Sequence, residues 1–335
     1  MSDEPIRVGL AGAGWVAEHH MDAWKTLKDR ATVVAVADPR GQAAEERAAR
    51  YGISAVYTSV ERMFDETGLD VVDVAAPREQ HVPICRKAAA RGLAVLCQKP
   101  LAPTFEEARD LVDEIGGRIR LMVHENWRFR PHYRRIRSWI DDGRVGAVHT
   151  ARLEVLTSGL LPDEHGALPA LVRQPMLAGL ERMLLMEVMI HHVDVLRFLL
   201  GPLVLEGARL GKRCTKIRGE DQATLLLRGP GGAIVSLIGD FMAHGRPPAL
   251  SDRLEIRGTD GAVTLRGTEL QLSGPCQELL TLDLAADYKA SYLGAISHFL
   301  DRLADGDMFE TSPTDNLETL AIVEAAYRMS GETGG

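Results

Sequence analysis

The chain has 335 residues, of which 45% are hydrophobic and 26% are charged, and this size and composition predict a globular protein with two domains. Its 39 Lys and Arg against 47 Asp and Glu give a net charge of −8, which argues against a general nucleic-acid or anionic-membrane binder. The four cysteines have no paired spacing, and the sequence shows neither a signal-peptide pattern nor an apolar run of membrane-spanning length, so we expect a cytoplasmic protein with free thiols.

Strand and helix patterns alternate over the first 124 residues. Strands are predicted at 6–10, 32–37, 71–75, 93–97 and 119–123, and helices at 40–51, 82–91 and 104–115. Gly52 and Gly92 follow two of these helices, and Thr104 with Glu107 forms a capping-box pattern at the third. Repeated strand–helix units of this length predict an α/β fold with a parallel, doubly wound Rossmann sheet, in a domain at 1–124.

A second domain is predicted at 125–335, where several strand patterns follow one another. Strands are expected at 147–156, 203–211, 221–228, 232–239, 252–257 and 262–265, and helices at 131–142, 187–200, 288–304 and 314–330. Turn sequences at 229–232 and 260–261 predict antiparallel hairpins, and hence an α/β domain with a large open, mostly antiparallel sheet. Residues 157–186 lack periodicity, and their apolar content favours a lid or substrate loop over a disordered insertion.

The turn after the first strand carries the pattern Gly12-x-Gly14-x-x-Ala17. Gly12 allows a tight turn, and Gly14 has no β-carbon, so a diphosphate can approach the backbone at the positive end of the next helix. Ala13, Trp15 and Val16 belong to the same predicted cofactor site. The alternative is an ordinary strand-to-helix turn that binds no ligand.

Asp38 and Arg40 follow the second predicted strand. A carboxylate at this position accepts hydrogen bonds from the adenosine ribose hydroxyls and repels a 2′-phosphate, so NAD is the predicted cofactor. Arg40 is near enough to bind a phosphate, which keeps NADP as the alternative cofactor. A helix N-cap is the alternative role for Asp38.

Pro77, His81, Gln98 and Lys99 follow the strands predicted at 71–75 and 93–97. Ligands bind at the carboxyl ends of strands in an open parallel sheet, so all four are candidate cofactor contacts. Lys99, fixed by Pro100, would also polarise a substrate oxygen or stabilise its alkoxide. The alternatives are a surface lysine and, for Pro77 and His81, residues that shape a turn and cap a helix.

Glu187, His191 and Asp194 are spaced to share one face of the helix predicted at 187–200. A histidine beside a carboxylate is a common general acid/base unit, so His191 and Glu187 are predicted catalytic residues. A helix salt bridge is the alternative for this pair, and His192 is expected to be packed or exposed. Adjacent histidines point about 100° apart on a helix, so no metal site is predicted.

These ordered motifs resemble the Gfo/Idh/MocA (glucose–fructose oxidoreductase and inositol dehydrogenase) family. The likeness covers nearly the whole chain: the glycine turn, the element from Pro77 to His81, Lys99-Pro100, His191-x-x-Asp194, and the ending at 322–327. It implies a Rossmann domain, a C-terminal α/β domain whose open sheet often forms the subunit interface, and NAD(P)-linked redox chemistry on sugars, polyols and related compounds.

Two departures from the family pattern stand out. The family usually has Glu-Lys-Pro where this chain has Gln98, and this change removes a charge that would pair with Lys99. The family usually has Asp four residues before the histidine, with Gly between, where this chain has Glu187 and Met189, so we expect a reshaped pocket. A sugar-dehydrogenase subgroup, one member of which acts on D-apiose, resembles the chain in its Gln and Glu-x-x-x-His pattern.

The resulting hypothesis is hydride transfer between a hydroxyl or cyclic hemiacetal of a sugar, polyol or sugar lactone and nicotinamide. His191 is the general base, Lys99 stabilises the alkoxide, and Glu187 orients His191 or binds a second hydroxyl. Further candidates, for the wall of the pocket, are Asn126, Trp127, Arg128 and Arg182. The alternatives are a glycosidase or epimerase with a recycled NAD and a non-catalytic NAD-binding regulator. A homodimer or homotetramer is expected, without nucleic-acid or membrane partners.

Overall fold

The computed structural model describes residues 4–115 and 117–331, which form two compact units. Of the described residues, the first unit contains those up to Phe129 and Tyr288–Glu318, and the second contains Arg130–Asp287 and residues 319–331. The sequence analysis assigned everything after residue 124 to a second domain. The structure instead returns residues 288–318 to the first unit, a long-range association that chain order does not reveal.

The first unit is built on a six-stranded parallel sheet with the order β3-β2-β1-β4-β5-β6. Its strands are β1 Ile6–Ala11, β2 Ala31–Ala37, β3 Ala55–Tyr57, β4 Val71–Val74, β5 Ala94–Gln98 and β6 Leu121–His124. This is the doubly wound order. The strand order reverses between β1 and β4, and sheets of this kind have a crevice at the carboxyl ends of the two strands where the order reverses. The predicted Rossmann sheet is therefore confirmed.

Among the described residues, five α-helices connect these strands. They are α1 Trp15–Thr26, α2 Gly41–Tyr51, α3 Val60–Thr67, α4 His81–Ala89 and α5 Phe105–Ile115. α2 ends at Gly52, which has a φ of 72°, and the backbone N–H of Glu107 donates to the Thr104 hydroxyl at 3.2 Å, as the sequence predicts. The sequence analysis did not identify β3 and α3.

Part of a late helix completes the hydrophobic core of the first unit. The helix is α9, Leu284–Asp305, and its residues Tyr292, Ile296 and Phe299 are buried in one cluster with Val8 and Trp24. Aromatic and aliphatic side chains at spacings of three and four residues place one apolar stripe on this core. Burial of this stripe explains why residues 288–318 belong to the first unit.

The second unit is built on an eight-stranded sheet with the order β14-β13-β12-β11-β7-β10-β9-β8. Its strands are β7 Val148–Leu156, β8 Val204–Gly211, β9 Gln222–Arg228, β10 Ile234–Asp240, β11 Asp252–Gly258, β12 Ala262–Arg266, β13 Glu269–Ser273 and β14 Glu278–Thr281. β7 and β10 pair in parallel, whereas the other described neighbours pair antiparallel. The predicted open, mostly antiparallel sheet and both predicted hairpins are confirmed, but β13 and β14 were not anticipated.

The remaining helices are α6 Pro131–Asp141, α7 Pro169–Arg173, α8 Ile190–Leu200 and α10 Pro313–Met329, with a π-helix at Leu184–Met189. Alternate residues of the sheet, such as Leu153, Leu225 and Leu237, are fully buried, whereas Leu226 and Ile234 are exposed. The sheet therefore covers a core on one face and is open on the other. Within the described chain, no helix combines the length and apolarity that crossing a membrane requires.

Candidate active site

The glycine turn between β1 and α1 has the geometry that an anion site requires. Gly12 has a φ of 103°, and a β-carbon there would lie 2.6 Å from the carbonyl oxygen of Ala75. A β-carbon on Gly14 would meet nothing within 4 Å, and no side chain of the described residues caps the first turn of α1. The open backbone and uncapped helix start fit a diphosphate, whose oxygens accept from these N–H groups.

Asp38 joins this turn to the end of β2. Its carboxylate accepts hydrogen bonds from the backbone N–H groups of Ala13 and Arg40, both at 2.9 Å, and from the Arg40 guanidinium at 3.2 Å. Burial opposes ionisation of Asp38, but the hydrogen bonds from Arg40 and Ala13 outweigh it and lower the pKa. The N-cap of α2 is Arg40, without a side-chain cap, so the alternative role of Asp38 as an N-cap is wrong. An ionised carboxylate here fits ribose hydroxyls and repels a 2′-phosphate.

We expect Asp38→Ser to raise the ratio of kcat/KM with NADP to kcat/KM with NAD by at least about tenfold. A tenfold change corresponds to about 1.4 kcal/mol, and a juxtaposed like charge costs several kcal/mol. Initial rates with both cofactors measure the ratio. The control is Asp38→Ser combined with Arg40→Ala, which should lose most of the gain because Arg40 supplies the phosphate partner. An unchanged ratio in Asp38→Ser would show that Asp38 does not select the cofactor.

His81 lies beside the candidate lysine and ties together the loops that follow β4 and β5. Its Nδ1 is 2.7 Å from the carbonyl oxygen of Pro100, and its Nε2 is 2.9 Å from that of Ala76. The ring is buried, whereas Pro77 is exposed and Lys99 is half-buried. Each ring nitrogen of His81 therefore contacts a backbone carbonyl oxygen, and these two contacts hold the loop that contains Lys99.

A cluster of buried polar side chains holds the backbone of Lys99. The Gln98 side-chain oxygen accepts the backbone N–H of Lys99 at 3.0 Å, and the Gln98 amide nitrogen lies 2.8 Å from His20 Nε2. Asp73 accepts from His20 Nδ1 at 2.8 Å and from the Trp24 indole at 2.7 Å. Sequence reasoning missed His20 and Asp73, although a charged residue inside the apolar strand Val71–Val74 was the available signal.

The helix that carries His191 begins differently from the prediction. The expected α-helix at 187–200 starts as a π-helix at Leu184, and α-helical geometry begins only at Ile190. Glu187 therefore lies in the π-helix and not in α8, and the pairing of Glu187 with His191 stays a prediction. His191 is 7% exposed and Glu187 is half-buried, and π-helical turns often occur at functional sites.

A carboxylate from outside the helix binds the backbone N–H groups at its start. Glu220 accepts the backbone N–H groups of Leu185 at 2.9 Å and Met183 at 3.3 Å, and it also accepts the Tyr327 hydroxyl at 2.7 Å. Glu220 is 1% exposed. Because a buried carboxylate takes these N–H groups, the first turn is held by a residue that is remote in sequence.

Met189 packs against the eight-stranded sheet at Gly239. Met189 is fully buried, and a β-carbon on Gly239 of β10 would lie 2.3 Å from its sulfur atom. The absence of a side chain at Gly239 therefore accommodates Met189. The expectation that the bulk of Met189 reshapes a pocket is wrong, because its thioether packs into the core.

His192 and Asp252 form a buried hydrogen bond next to His191. His192 Nε2 lies 2.9 Å from one oxygen of Asp252, and Tyr133 donates to the other oxygen at 2.7 Å. Burial acts to raise the pKa of Asp252, but His192 and Arg130 together hold it well below its usual range. This pair ties α8 to β11 and so fixes the helix that presents His191.

The four candidate wall residues all make contacts within their own units. The Asn126 amide donates to the Ser291 hydroxyl at 2.7 Å, and the Trp127 ring meets Tyr288 edge to face. Arg128 pairs with Asp315 at 2.7 Å, and Arg182 pairs with Glu324 at 2.7 Å. These contacts give the four residues structural roles, and their contact with substrate stays a prediction.

Comparisons with known proteins identify the family of the chain. Residues 6–123 match the NAD-binding Rossmann fold of the Gfo/Idh/MocA oxidoreductase family, and residues 133–264 match the family's C-terminal domain. D-apiose dehydrogenase of Rhizobium rhizogenes is 30% identical over 98% of this chain and 96% of its own length. Inositol 2-dehydrogenase of Rhizobium meliloti is 28% identical over 98% and 97%.

Solved structures show the same fold. An oxidoreductase from Agrobacterium radiobacter, in complex with NAD+, L-tartaric acid and magnesium, has a TM-score of 0.90 at 29% identity, covering 98% of this chain and 97% of that chain. Levoglucosan dehydrogenase, in complex with NADH and levoglucosan, has a TM-score of 0.84 at 21% identity and covers 98% of both chains. The open helix start, the placement of Asp38 and the full-length matches lead to one conclusion: the chain belongs to the Gfo/Idh/MocA family of oxidoreductases and its first unit is an NAD-binding Rossmann domain.

Proposed function

We propose that the protein is an NAD-dependent dehydrogenase that oxidises a hydroxyl or cyclic hemiacetal of a small sugar or polyol. The observation that carries this proposal is the open, uncapped start of α1 beside the ionised Asp38. Relatives named for oxidation of D-apiose and inositol, each matched over 98% of this chain, support the substrate class.

The residues that would hold the cofactor follow from the geometry of the glycine turn. Backbone N–H groups at the start of α1 bind the diphosphate, Gly14 leaves room for it, and Asp38 accepts hydrogen bonds from the ribose hydroxyls. Trp15, Val16, Pro77 and Arg40 complete the proposed cofactor contacts. NAD, when bound, supplies the acceptor for the hydride.

His191 and Lys99 carry the proposed proton and charge chemistry. An imidazole nitrogen of His191 takes the substrate hydroxyl proton while the C–H electron pair leaves the same carbon as hydride. The ammonium group of Lys99 stabilises the negative charge that develops on that oxygen. Glu187 orients His191 or accepts a second substrate hydroxyl.

The test is a substrate panel of D-apiose, myo-inositol, levoglucosan and L-tartrate, each assayed with NAD and with NADP by NADH or NADPH absorbance. The proposal predicts continuous accumulation of NADH with at least one sugar or polyol, and a higher kcat/KM with NAD than with NADP. Turnover without added NAD and without net NADH would favour the glycosidase or epimerase with a recycled cofactor. Cofactor binding without redox on any panel member would favour the regulator.

The open face of the eight-stranded sheet is the proposed contact between subunits of a homodimer or homotetramer. Leu226 and Ile234, 44% and 61% exposed, lie on that face. Exposed aliphatic side chains on a broad sheet are typical of a subunit interface. Sedimentation velocity measures the state directly, and a monomer at micromolar concentration would contradict the proposal.

A further inference from the structure

The orientation of the Gln98 side-chain amide is fixed by the backbone. The Lys99 N–H is a donor, so the Gln98 atom 3.0 Å from it must be the oxygen. The nitrogen of the amide therefore faces His20 Nε2 at 2.8 Å and His124 Nδ1 at 3.2 Å. Because the amide nitrogen only donates, both histidine nitrogens that face it must accept.

This geometry assigns the tautomer of His20. Its Nε2 accepts from Gln98, so the ring proton lies on Nδ1 and is donated to Asp73 at 2.8 Å. His20, Asp73 and Gln98 are almost completely buried, and the His20 and His124 rings are 4.2 Å apart. The amide thus separates two histidines in their neutral form.

We propose that Gln98 is the positioning residue for Lys99, that it acts by accepting the Lys99 N–H, and that its amide is itself oriented by donating to the unprotonated nitrogens of His20 and His124. His20 stands on α1, the helix whose start forms the cofactor turn, so the chain His20–Gln98–Lys99 joins that helix to the lysine through two hydrogen bonds. The positioning role rests on the function proposed above for Lys99. The tautomer assignment does not depend on that function.

A carboxylate at position 98 would reverse the donor pattern. One oxygen would still accept the Lys99 N–H, but the other could only accept, so His20 would need protons on both nitrogens. His20 is then an imidazolium between two carboxylates. The titratable groups around it are Asp73 on β4, His124 on β6, Tyr292 on α9 and His19 on its own helix.

The decisive measurement is histidine side-chain ¹⁵N NMR of the full chain near neutral pH, with His20→Gln used to assign the His20 signals. Wild-type protein should show His20 as the neutral tautomer protonated at Nδ1. Gln98→Glu should convert His20 to the imidazolium. If the wild-type spectrum shows His20 as an imidazolium, or as the tautomer protonated at Nε2, the proposal is overturned. The wild-type spectrum alone decides this, so the test does not depend on whether a variant at position 98 folds.

The kinetic readout tests the positioning role. Gln98→Glu and Gln98→Leu should each lower kcat by about 10- to 100-fold, because a misplacement of about 1 Å at a reacting group has this effect, while KM for NAD stays unchanged. Gln277→Glu, in an exposed loop before β14, adds the same charge and should leave kcat unchanged. Full kcat in Gln98→Leu would contradict the positioning role. Full kcat in Lys99→Ala would instead contradict the proposed function and leave the tautomer result standing.

Discussion

Replacing Lys99 with alanine is expected to lower kcat for the best panel substrate by about 10²- to 10³-fold, the loss typical when one group that stabilises a developing oxyanion is removed. Lys99 follows β5 at the carboxyl edge of the parallel sheet, where ligands of such sheets bind. The Lys99 backbone N–H donates to the Gln98 side chain, and the carbonyl oxygen of the next residue, Pro100, contacts His81. Steady-state rates measure the loss, and fluorescence titration with NADH should show unchanged cofactor binding.

Lys28→Ala is the matched control for Lys99, because Lys28 is an exposed lysine of the same unit that follows α1. This variant should keep the kcat of the wild-type protein. If Lys99→Ala also keeps it, the developing charge is stabilised by another group and the proposed role of Lys99 is wrong.

Asp252→Asn is expected to destabilise the protein by about 3–5 kcal/mol, the usual cost of removing one partner from a buried ion pair. His192 Nε2 lies 2.9 Å from one oxygen of Asp252, and the Tyr133 hydroxyl donates to the other at 2.7 Å, so both carboxylate oxygens have a buried partner. Asparagine would remove the buried negative charge on which these groups converge. Urea denaturation followed by circular dichroism measures the free energy of unfolding.

The control for Asp252 is Asp301→Asn, which removes a surface pair with Arg30 that is 51% exposed on the aspartate side. Exposed pairs contribute about 0–1 kcal/mol, so this variant should change stability little. The lowered pKa of the Asp252 carboxyl stabilises the fold at pH values above about 4, the pKa of an aspartate in the unfolded chain. This stabilisation is lost as the pH falls from there through the lower pKa of the folded state. If Asp252→Asn unfolds at the urea concentration of the wild-type protein, the ion pair does not anchor α8.

Sequence patterns predicted the elements that depend on local chemistry. The β1–turn–α1 unit, the capping box at Thr104 and the hairpin between β9 and β10 each lie within a few residues of the chain. β3 was missed because Ala55–Tyr57 has only three residues, too few to show a period. The return of residues 288–318 to the first unit depends on packing with strands far away in sequence, which periodicity does not encode.

The missed parts of the site share a physical cause. The start of the π-helix at Leu184–Met189 is held by Glu220, whose carboxylate accepts N–H groups of the first turn from a position remote in sequence. The support of Lys99 depends on Asp73 and His20, which are 53 residues apart. Hydrogen bonds between residues so distant in sequence set the geometry of a site without leaving a periodic pattern.

The three residues that make up the two departures from the family pattern lie in different places. Gln98 lies in the buried cluster under Lys99, Glu187 lies in the π-helix, and Met189 packs against Gly239 in the core. We therefore expect Gln98 and Glu187, rather than Met189, to affect the chemistry of the substrate.

Hydride transfer from substrate to NAD is the central claim, and isotope transfer tests it most directly. The panel substrate with the highest kcat/KM, deuterated at the carbon that is oxidised, is incubated with the protein and NAD, and the reduced cofactor is analysed by mass spectrometry. Direct transfer predicts one deuterium in each NADH formed, with oxidised product in equal amount. Reduced cofactor without deuterium, or product without reduced cofactor, would contradict the claim.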